Sequence, residues 1–218
     1  MKPFDSVDVL YSDNHILVAL KPPGLLTQPD NVAKESLEKV CKAWVQEKYQ
    51  KKGCAFLHCI HRLDKAVSGL VLFARTSKAL SRLNEQSRNQ EIQRLYVAEV
   101  EGILSLREAQ LDHYLVHGEH KAIVALQGEE DAKHARLTYK TIQQKEHTTL
   151  VEIVLETGRY HQIRAQFSAI GHPVVGDLRY GSHLGDGHVI HLHCQKISFQ
   201  HPVTKEVVTF ESLAPFFC

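Results

Sequence analysis

Segments rich in β-forming residues follow one another through the second half of the chain, and their order restricts the fold more than any other feature. Such segments lie at residues 95–100, 135–142, 149–156, 189–193 and 207–210. A single helical segment at 161–170 interrupts them and stops at Gly171-His172-Pro173. Because strands and helices do not alternate regularly, the sequence predicts an α+β fold on a mostly antiparallel sheet.

The first half of the chain predicts three strands and two helices. Alternating or continuous apolar residues between turn residues indicate the strands, and apolar residues at helical spacing indicate the helices. In chain order these are strands at 7–11 and 15–20, a helix from Ser36 to about Lys48, a strand at 70–74, and a helix capped by Thr76 or Ser77 that runs to about Gln90.

Size and composition fit one globular domain, which we expect to span residues 1–218. Hydrophobic residues make up 43% of the chain, the net charge is +1 and the pI is about 7.8. That pI is below the value above about 9 that is typical of strongly basic nucleic-acid-binding domains. A site for nucleic acid would therefore depend on local clusters of basic residues.

Cysteine usage and apolar runs indicate where the protein resides. The five cysteines are odd in number and form no C-x-x-C pair, which favours reduced thiols in a cytoplasmic protein. The longest apolar run near the start, at 16–20, is too short for a signal sequence or a membrane span. We expect a cytoplasmic protein with no membrane partner.

Fifteen histidines raise the alternative of a metal-binding protein. The two candidate groups are His58-Cys59-Ile60-His61 and His191-Leu192-His193-Cys194. No second pair at zinc-finger spacing follows either group. We expect no metal site, and we expect these histidines to be satisfied internally or exposed.

Asp64 is the first candidate for a catalytic residue. It stands without a second carboxylate in the segment HRLDKAVSG at 61–69, before an apolar strand. Ser68-Gly69 would let the backbone approach another group closely, and the strand would anchor the loop. An ionised Asp in such a place needs a cationic partner and can serve as a nucleophile or an electrostatic stabiliser. The alternative is an ordinary turn Asp that pairs with Arg62 or Lys65.

The candidate partner for Asp64 is Arg164, in the segment TGRYHQIR at 157–164. A strand ends at its Thr-Gly and a helix begins near His161. The free N–H groups of a helix start, flanked by Arg159 and His161, form a phosphate site. Arg164 would lie one turn farther on, on the same side. The alternative is an ordinary solvated helix start.

Tyr96 and a set of basic residues are candidates for contacts with RNA. Tyr96 lies on a predicted strand, where it is either a core residue or a ring on which a base stacks. A modest basic stripe lies across the predicted helix after residue 76 and its flanks, and it either contacts phosphates or is a solvated helix face. Its members are Arg75, Lys78, Arg82, Arg88 and Arg94.

Taken together, these segments resemble one family, the pseudouridine synthases of the ribosomal-large-subunit type (RluA-like). The matching segments span nearly the whole chain in the order of the family. They are KPPG at 21–24, HRLDKAVSG at 61–69, RLYVAEVEG at 94–102, TGRYHQIR at 157–164, GHPVVGDLRYG at 171–181 and HLHCQKISFQHPVTKE at 191–206. The resemblance implies a long, mixed but largely antiparallel sheet with an active cleft across its middle. It also implies isomerisation of uridine to pseudouridine in RNA without cofactor or metal.

The resemblance also implies a role for each site residue. Asp64 matches the catalytic aspartate, Tyr96 the tyrosine that stacks on the target uracil, and Arg164 the arginine that pairs with the aspartate. Six further residues are expected to bind RNA, and the first two of them also to hold the loop. These are His61, Arg62, Lys21, Arg94, Arg159 and His161.

The same resemblance implies the partner. We expect ribosomal RNA rather than transfer RNA, and a monomeric protein. Since KPPG already begins at residue 21, we expect no separate N-terminal RNA-binding domain.

Two positions depart from the family pattern. Val67 stands where the family usually has Thr, and Gln166 stands where it usually has His. Val67 supports an alternative function, an RNA-binding protein of the same fold whose catalysis is weakened or lost. The other alternative, a histidine-rich metal-binding protein, depends on the histidine count.

Overall fold

The computed structural model describes residues 7–30, 35–50 and 52–217, so Cys218 lies outside the described residues. The elements found there are strands β1 (Asp8–Ser12), β2 (Ile16–Lys21), β3 (His58–Cys59), β4 (Ser68–Ala74), β5 (Gln93–Glu101), β6 (Glu108–His117), β7 (Ala122–Ala125), β8 (Lys133–Gln144), β9 (Thr148–Leu155), β10 (Leu192–Gln200) and β11 (Val207–Glu211), helices α1 (Leu37–Lys48), α2 (Ser77–Arg88) and α3 (Gln162–Ala169), and a 3₁₀ helix (Leu178–Tyr180). The predicted α+β class is confirmed.

The chain divides into two compact units. The first unit contains Met1–Gln93 and Cys194–Ala214, and the second contains Arg94–His193 and Pro215–Cys218. The expectation of one domain over residues 1–218 stays a prediction.

The first unit is built on strands in the order β1-β2-β4-β10-β11, with β3 also paired to β4. Its centre is inaccessible to solvent, since residues 16–19 and 70–74 are fully buried. The two helices begin where the sequence predicts. The Ser36 hydroxyl accepts a hydrogen bond from the Lys39 N–H at 3.3 Å, and the Thr76 hydroxyl accepts one from the Ala79 N–H at 3.1 Å. Such N-caps satisfy backbone donors that have no partner in the first helical turn.

Gly69, the last residue of the HRLDKAVSG segment, lies against the backbone of β10. Its φ is +125°, and an added Cβ would lie 2.3 Å from the backbone nitrogen of Cys194. Only glycine fits both the backbone angle and the space. The predicted close approach at Ser68-Gly69 is therefore confirmed, and it fixes the end of the loop that carries Asp64.

The second unit contains an antiparallel sheet in the order β5-β9-β8-β6-β7. Helix α3 packs against β6 and β7. Gln166 joins this helix to the sheet, since its fully buried side-chain amide donates to the carbonyls of Leu111 at 3.0 Å and Ala135 at 3.1 Å.

The predicted elements differ from the structure in part. Strands β6 and β7 were not predicted, the strand predicted at 189–193 begins only at Leu192 as β10, and α2, predicted to run to about Gln90, ends at Arg88. In β6 the burial alternates as in a half-buried strand, but His113 puts a polar residue on the more buried face and Tyr114 and Val116 put apolar residues on the other, so the sequence pattern is obscured. Helix α2 ends two residues early because Gln90 adopts a φ of +60°.

Candidate active site

Asp64 lies in the first unit, in the loop between β3 and β4, and its side chain is half-buried. Its carbonyl accepts the Val67 N–H at 3.1 Å, which closes a turn directly after it. His61 holds the start of the loop, since its Nε2 accepts the Leu72 N–H at 3.3 Å. This bond fits the expectation that His61 holds the loop, and its contact with RNA stays a prediction.

The segment that follows β2 also holds the Asp64 loop in place through hydrogen bonds. The Gly24 N–H donates to the Lys65 carbonyl at 2.7 Å. The Thr27 hydroxyl donates to the Leu63 carbonyl at 2.8 Å and accepts the Leu63 N–H at 3.0 Å. The residues on both sides of Asp64 are therefore held by hydrogen bonds to this one segment.

Lys21, at the end of β2, is the third contact between these segments. Its side chain is fully buried, and Nζ donates to the carbonyls of Pro22 at 2.9 Å, Leu25 at 2.7 Å and Lys65 at 3.1 Å. The prediction that Lys21 contacts RNA needs correction, because its ammonium is enclosed and its three hydrogens already have acceptors. Lys21 holds the loop of Asp64 in place.

Burial lowers the pKa of Lys21 to about 7, although the nearby charge of Asp64 acts in the opposite direction. Below about pH 7 the folded and unfolded chains both carry a proton on Lys21. Above it the unfolded chain still binds a proton that the folded chain has lost, so raising the pH stabilises the fold.

We expect Lys21→Met to remove this pH dependence. Relative to the variant, the wild-type free energy of unfolding should rise by about 1.4 kcal/mol for each pH unit above about 7. Urea unfolding of both proteins over this pH range measures the difference. Lys65→Met is the control, because Lys65 is exposed. A stability difference that stays constant with pH would contradict the lowered pKa.

Arg164 lies in the second unit, on α3, and forms a buried ion pair with Asp177. Its Nε donates to Oδ2 at 2.6 Å and its Nη2 to Oδ1 at 2.9 Å. The exposed fractions of the two side chains are 6% and 1%. The ring of Tyr180 lies 5.0 Å from the guanidinium carbon. The pairing of Arg164 with Asp64 stays a prediction.

Asp177 is a residue that the sequence analysis missed. It lies within GHPVVGDLRYG, where it is the only carboxylate. A buried arginine needs a carboxylate partner, and the prediction for Arg164 already included a carboxylate. That requirement was the available signal, although Asp64 was the only carboxylate predicted to meet it.

The start of α3 differs from the prediction of an open phosphate site. The Gln162 N–H, the first of the helix, donates to the Arg159 carbonyl at 3.2 Å, so the chain itself occupies one of the donors. His161 precedes the helix with a φ of +50°, is 8% exposed, and places Nδ1 3.1 Å from the Tyr180 hydroxyl. Arg159 is exposed. RNA contacts by Arg159 and His161 stay predictions.

Tyr96 and Arg94 lie in the second unit at the start of β5. Tyr96 is 5% exposed and lies opposite Ile153 of β9. Arg94 is half-buried, and an added Cβ on Gly158 would lie 3.4 Å from its Nη2, so its guanidinium borders the TGRYHQIR segment. Stacking of Tyr96 on a uracil and binding of RNA by Arg94 stay predictions.

The basic stripe is only partly on the surface. Arg75 is buried, donates to the Ser12 hydroxyl at 2.9 Å and to the Asp13 carbonyl, and lies 4.1 Å from the centre of the Tyr49 ring. Arg75 therefore supports the fold and is not a phosphate contact. Arg62, in the Asp64 loop, is exposed, and its contact with RNA stays a prediction.

Both departures from the family pattern have structural explanations. Val67 is 2% exposed and packs as an apolar core residue, while the turn at Asp64 uses only its backbone N–H. Gln166 donates to two carbonyls and places Nε2 3.1 Å from Nδ1 of His113. Burial lowers the pKa of His113, which favours a neutral ring beside this amide.

The candidate metal groups have other partners. Burial raises the pKa of the Cys59 thiol to about 11, so it stays protonated, whereas metals bind the thiolate. Nδ1 of His191 lies 2.9 Å from a Glu99 oxygen, and its ring stacks on Phe216. Within residues 7–30, 35–50 and 52–217, no three His, Cys, Asp or Glu side chains are grouped as metal ligands. No helix in that part of the chain is long and apolar enough to span a membrane.

Comparison with known proteins gives one consistent family. Residues 15–169 match the family model described as RNA pseudouridylate synthase. The chain is 31% identical over 221 residues to an uncharacterized RNA pseudouridine synthase, YhcT, of Bacillus subtilis. This alignment covers 98% of this chain and 70% of that protein. It is also 31% identical over 226 residues to ribosomal large subunit pseudouridine synthase D of Zymomonas mobilis, covering 96% and 69%.

A solved structure shares the fold. Human RNA pseudouridylate synthase domain containing 4 superposes with a TM-score of 0.81 at 21% identity. The match covers 96% of this chain and 89% of the human chain.

Proposed function

Since the chain belongs to the RNA pseudouridylate synthase family, whose members are isomerases that convert uridine in RNA to pseudouridine, we propose that it acts on ribosomal RNA with Asp64 at the reaction centre. The preference for ribosomal over transfer RNA is supported by the relative from Zymomonas mobilis, whose name states a ribosomal large subunit enzyme. The proposal includes a monomer that acts in the cytoplasm without a cofactor or metal.

The reaction exchanges one bond to the ribose for another. The bond from C1′ to N1 of uracil breaks, the uracil turns while it stays bound, a bond from C1′ to C5 forms, the hydrogen on C5 leaves as a proton, and N1 takes up a proton. No electrons are gained or lost. The uracil must first be flipped out of its stack at a cost of about a few kcal/mol, which stacking on an aromatic ring offsets. The enzyme must therefore hold both fragments and keep water out.

A single carboxylate can perform the central step in two ways. It attacks C1′ as a nucleophile, or it accepts a proton from the ribose as a base. Both routes require an ionised side chain that is held in place. The observation that carries the assignment to Asp64 is the loop itself, in which Lys21, Gly24 and Thr27 bond the residues next to Asp64 and leave its side chain half-buried.

The other site residues have supporting roles in this proposal. Tyr96 stacks on the target uracil, and Arg164 supplies the positive charge that favours an ionised carboxylate. Arg62, Arg94 and Arg159 contact the RNA backbone, because arginine binds phosphate through two parallel hydrogen bonds. The exposure of Arg62 and Arg159 supports this assignment.

Release of the C5 hydrogen gives a direct test of the function. RNA transcribed with [5-³H]uridine loses tritium to water when C5 becomes bonded to C1′. We expect the protein to release tritium from ribosomal RNA that carries this label and comes from a strain lacking the gene for this protein. Mapping pseudouridine in that strain and its parent then identifies the position.

The same assay separates the enzyme from its closest alternative. An RNA-binding protein of this fold without catalysis would bind the transcript and release no tritium. Release from transfer RNA but not from ribosomal RNA would keep the enzyme and reject the proposed substrate.

A further inference from the structure

We propose that three stacked rings in the second unit, His117, Tyr160 and His161, bind an unpaired RNA nucleotide whose base stacks on His117. We call these three residues the aromatic ladder. The choice of RNA as the ligand depends on the proposed function, and the ladder would bind a nucleotide other than the one that reacts.

The ladder runs from the interior to the surface. The rings of His161 and Tyr160 are 3.8 Å apart at an interplanar angle of 21°, and those of Tyr160 and His117 are 4.2 Å apart at 24°. His161 is 8% exposed, Tyr160 is 37% exposed, and His117 is exposed. Three nearly parallel rings thus end at the surface in an imidazole, which a base can extend as a fourth member of the stack.

The inner end of the ladder is fixed by hydrogen bonds. The Tyr180 hydroxyl accepts the Ala122 N–H at 2.7 Å and donates to the Ala122 carbonyl at 3.2 Å. The hydroxyl has one hydrogen, so Nδ1 of His161, at 3.1 Å, is the donor in the third bond. This network sets both the orientation and the tautomer of the His161 ring.

The outer end is fixed by the β6–β7 hairpin. His117 is the last residue of β6 and pairs with Ala122, and the Gly118 N–H donates to the Lys121 carbonyl at 3.0 Å. Because both ends of the ladder rest on regular structure, little conformational entropy is lost when a base stacks on it.

Cations on the same segments suit a phosphate next to the stacked base. Arg159 directly precedes Tyr160 in the chain, and Nζ of Lys121 lies 5.8 Å from the centre of the Tyr180 ring. Arg179 donates through Nη1 to the His120 carbonyl at 2.7 Å, which brings it to the hairpin turn. Arg159 donates through Nε to the His134 carbonyl at 2.8 Å, and the hairpin turn also carries the exposed carboxylate Glu119, so the cations outnumber the anion on these segments. A positive surface beside an aromatic ring is typical of single-strand binding.

Binding of a fluorescein-labelled oligoadenylate tests the ladder, because adenine presents a large face for stacking. We expect His117→Leu to weaken binding by about tenfold, the contribution of roughly one stacked base, and to leave the salt dependence unchanged. We expect Lys121→Gln to weaken binding less at high salt than at low salt, since it removes a phosphate contact. Fluorescence anisotropy over a range of salt concentrations measures both effects.

His147→Leu is the matched control. His147 is an exposed histidine of the same unit, and its Nε2 lies 3.5 Å from a Glu146 oxygen. We expect its affinity for oligoadenylate to equal that of the wild type. Tyr160→Leu, which removes the middle ring, should weaken binding at least as much as His117→Leu. Thermal unfolding of each variant verifies that the fold is intact.

Two results would overturn the ladder. One is a wild-type protein that does not bind oligoadenylate, and the other is equal affinity for wild type and His117→Leu. Weaker binding by His117→Leu together with no tritium release by the wild type would leave the ladder standing and reject the proposed enzyme. Tritium release by the wild type without any effect of His117→Leu on binding would support the proposed enzyme and reject the ladder as an RNA site. The exposed rings would then suit a protein partner.

Discussion

Asp64→Asn is expected to slow tritium release from [5-³H]uridine-labelled RNA by about a thousandfold or more. Asparagine has nearly the same shape as aspartate and leaves the turn with Val67 in place, since that turn uses the backbone carbonyl. It cannot attack C1′ as a carboxylate does, and it cannot accept the ribose proton. The rate should therefore fall while the affinity for RNA stays within a few-fold of the wild type.

Asp8→Asn is the control for this variant. Asp8 is an exposed carboxylate on β1 of the same unit, and we expect the wild-type rate when it is replaced. Single-turnover measurements with enzyme in excess separate the chemical step from product release. An Asp64→Asn variant that keeps the wild-type single-turnover rate would reject Asp64 as the reaction centre, whereas a loss confined to affinity would make it an RNA contact.

Elements set by local rules were predictable from the sequence. The caps of α1 and α2 at Ser36 and Thr76 follow from hydroxyl residues placed directly before a helical pattern. The close approach at Gly69 follows from the absence of a Cβ. For the two caps the residues that decide the structure are neighbours in the chain, whereas at Gly69 the sequence predicts a close approach but not its distant partner, Cys194.

Features that depend on distant partners were not predictable in the same way. Lys21 was predicted to bind RNA, yet its acceptors include the carbonyl of Lys65, 44 residues away. Asp177 pairs with Arg164, 13 residues away in the chain, and no local pattern indicates which carboxylate forms an ion pair with a buried arginine. Strand β6 is identified by its pairing with β7 and β8, because the polar His113 on its buried face hides the alternation in the sequence. Such features become visible only once the fold brings the partners together.

Asp177→Ala is expected to lower the free energy of unfolding by about 3–5 kcal/mol. The change leaves the guanidinium of Arg164 in a buried site without the carboxylate that bonds both its Nε and its Nη2. Urea unfolding measures the loss. Asp112→Asn is the control, because its ion pair with Arg136 lies on the surface, where solvent screens it, and we expect little change there.

The double variant Arg164→Met with Asp177→Leu separates the structural part of this ion pair from its part in the reaction. Replacing both members of a buried pair with apolar residues of similar volume is often neutral for stability. We therefore expect the double variant to regain most of the stability that Asp177→Ala loses and to remain slow in tritium release, because the positive charge of Arg164 is gone. A double variant that is both stable and fully active would reduce Arg164 to a structural residue and remove it from the proposed site.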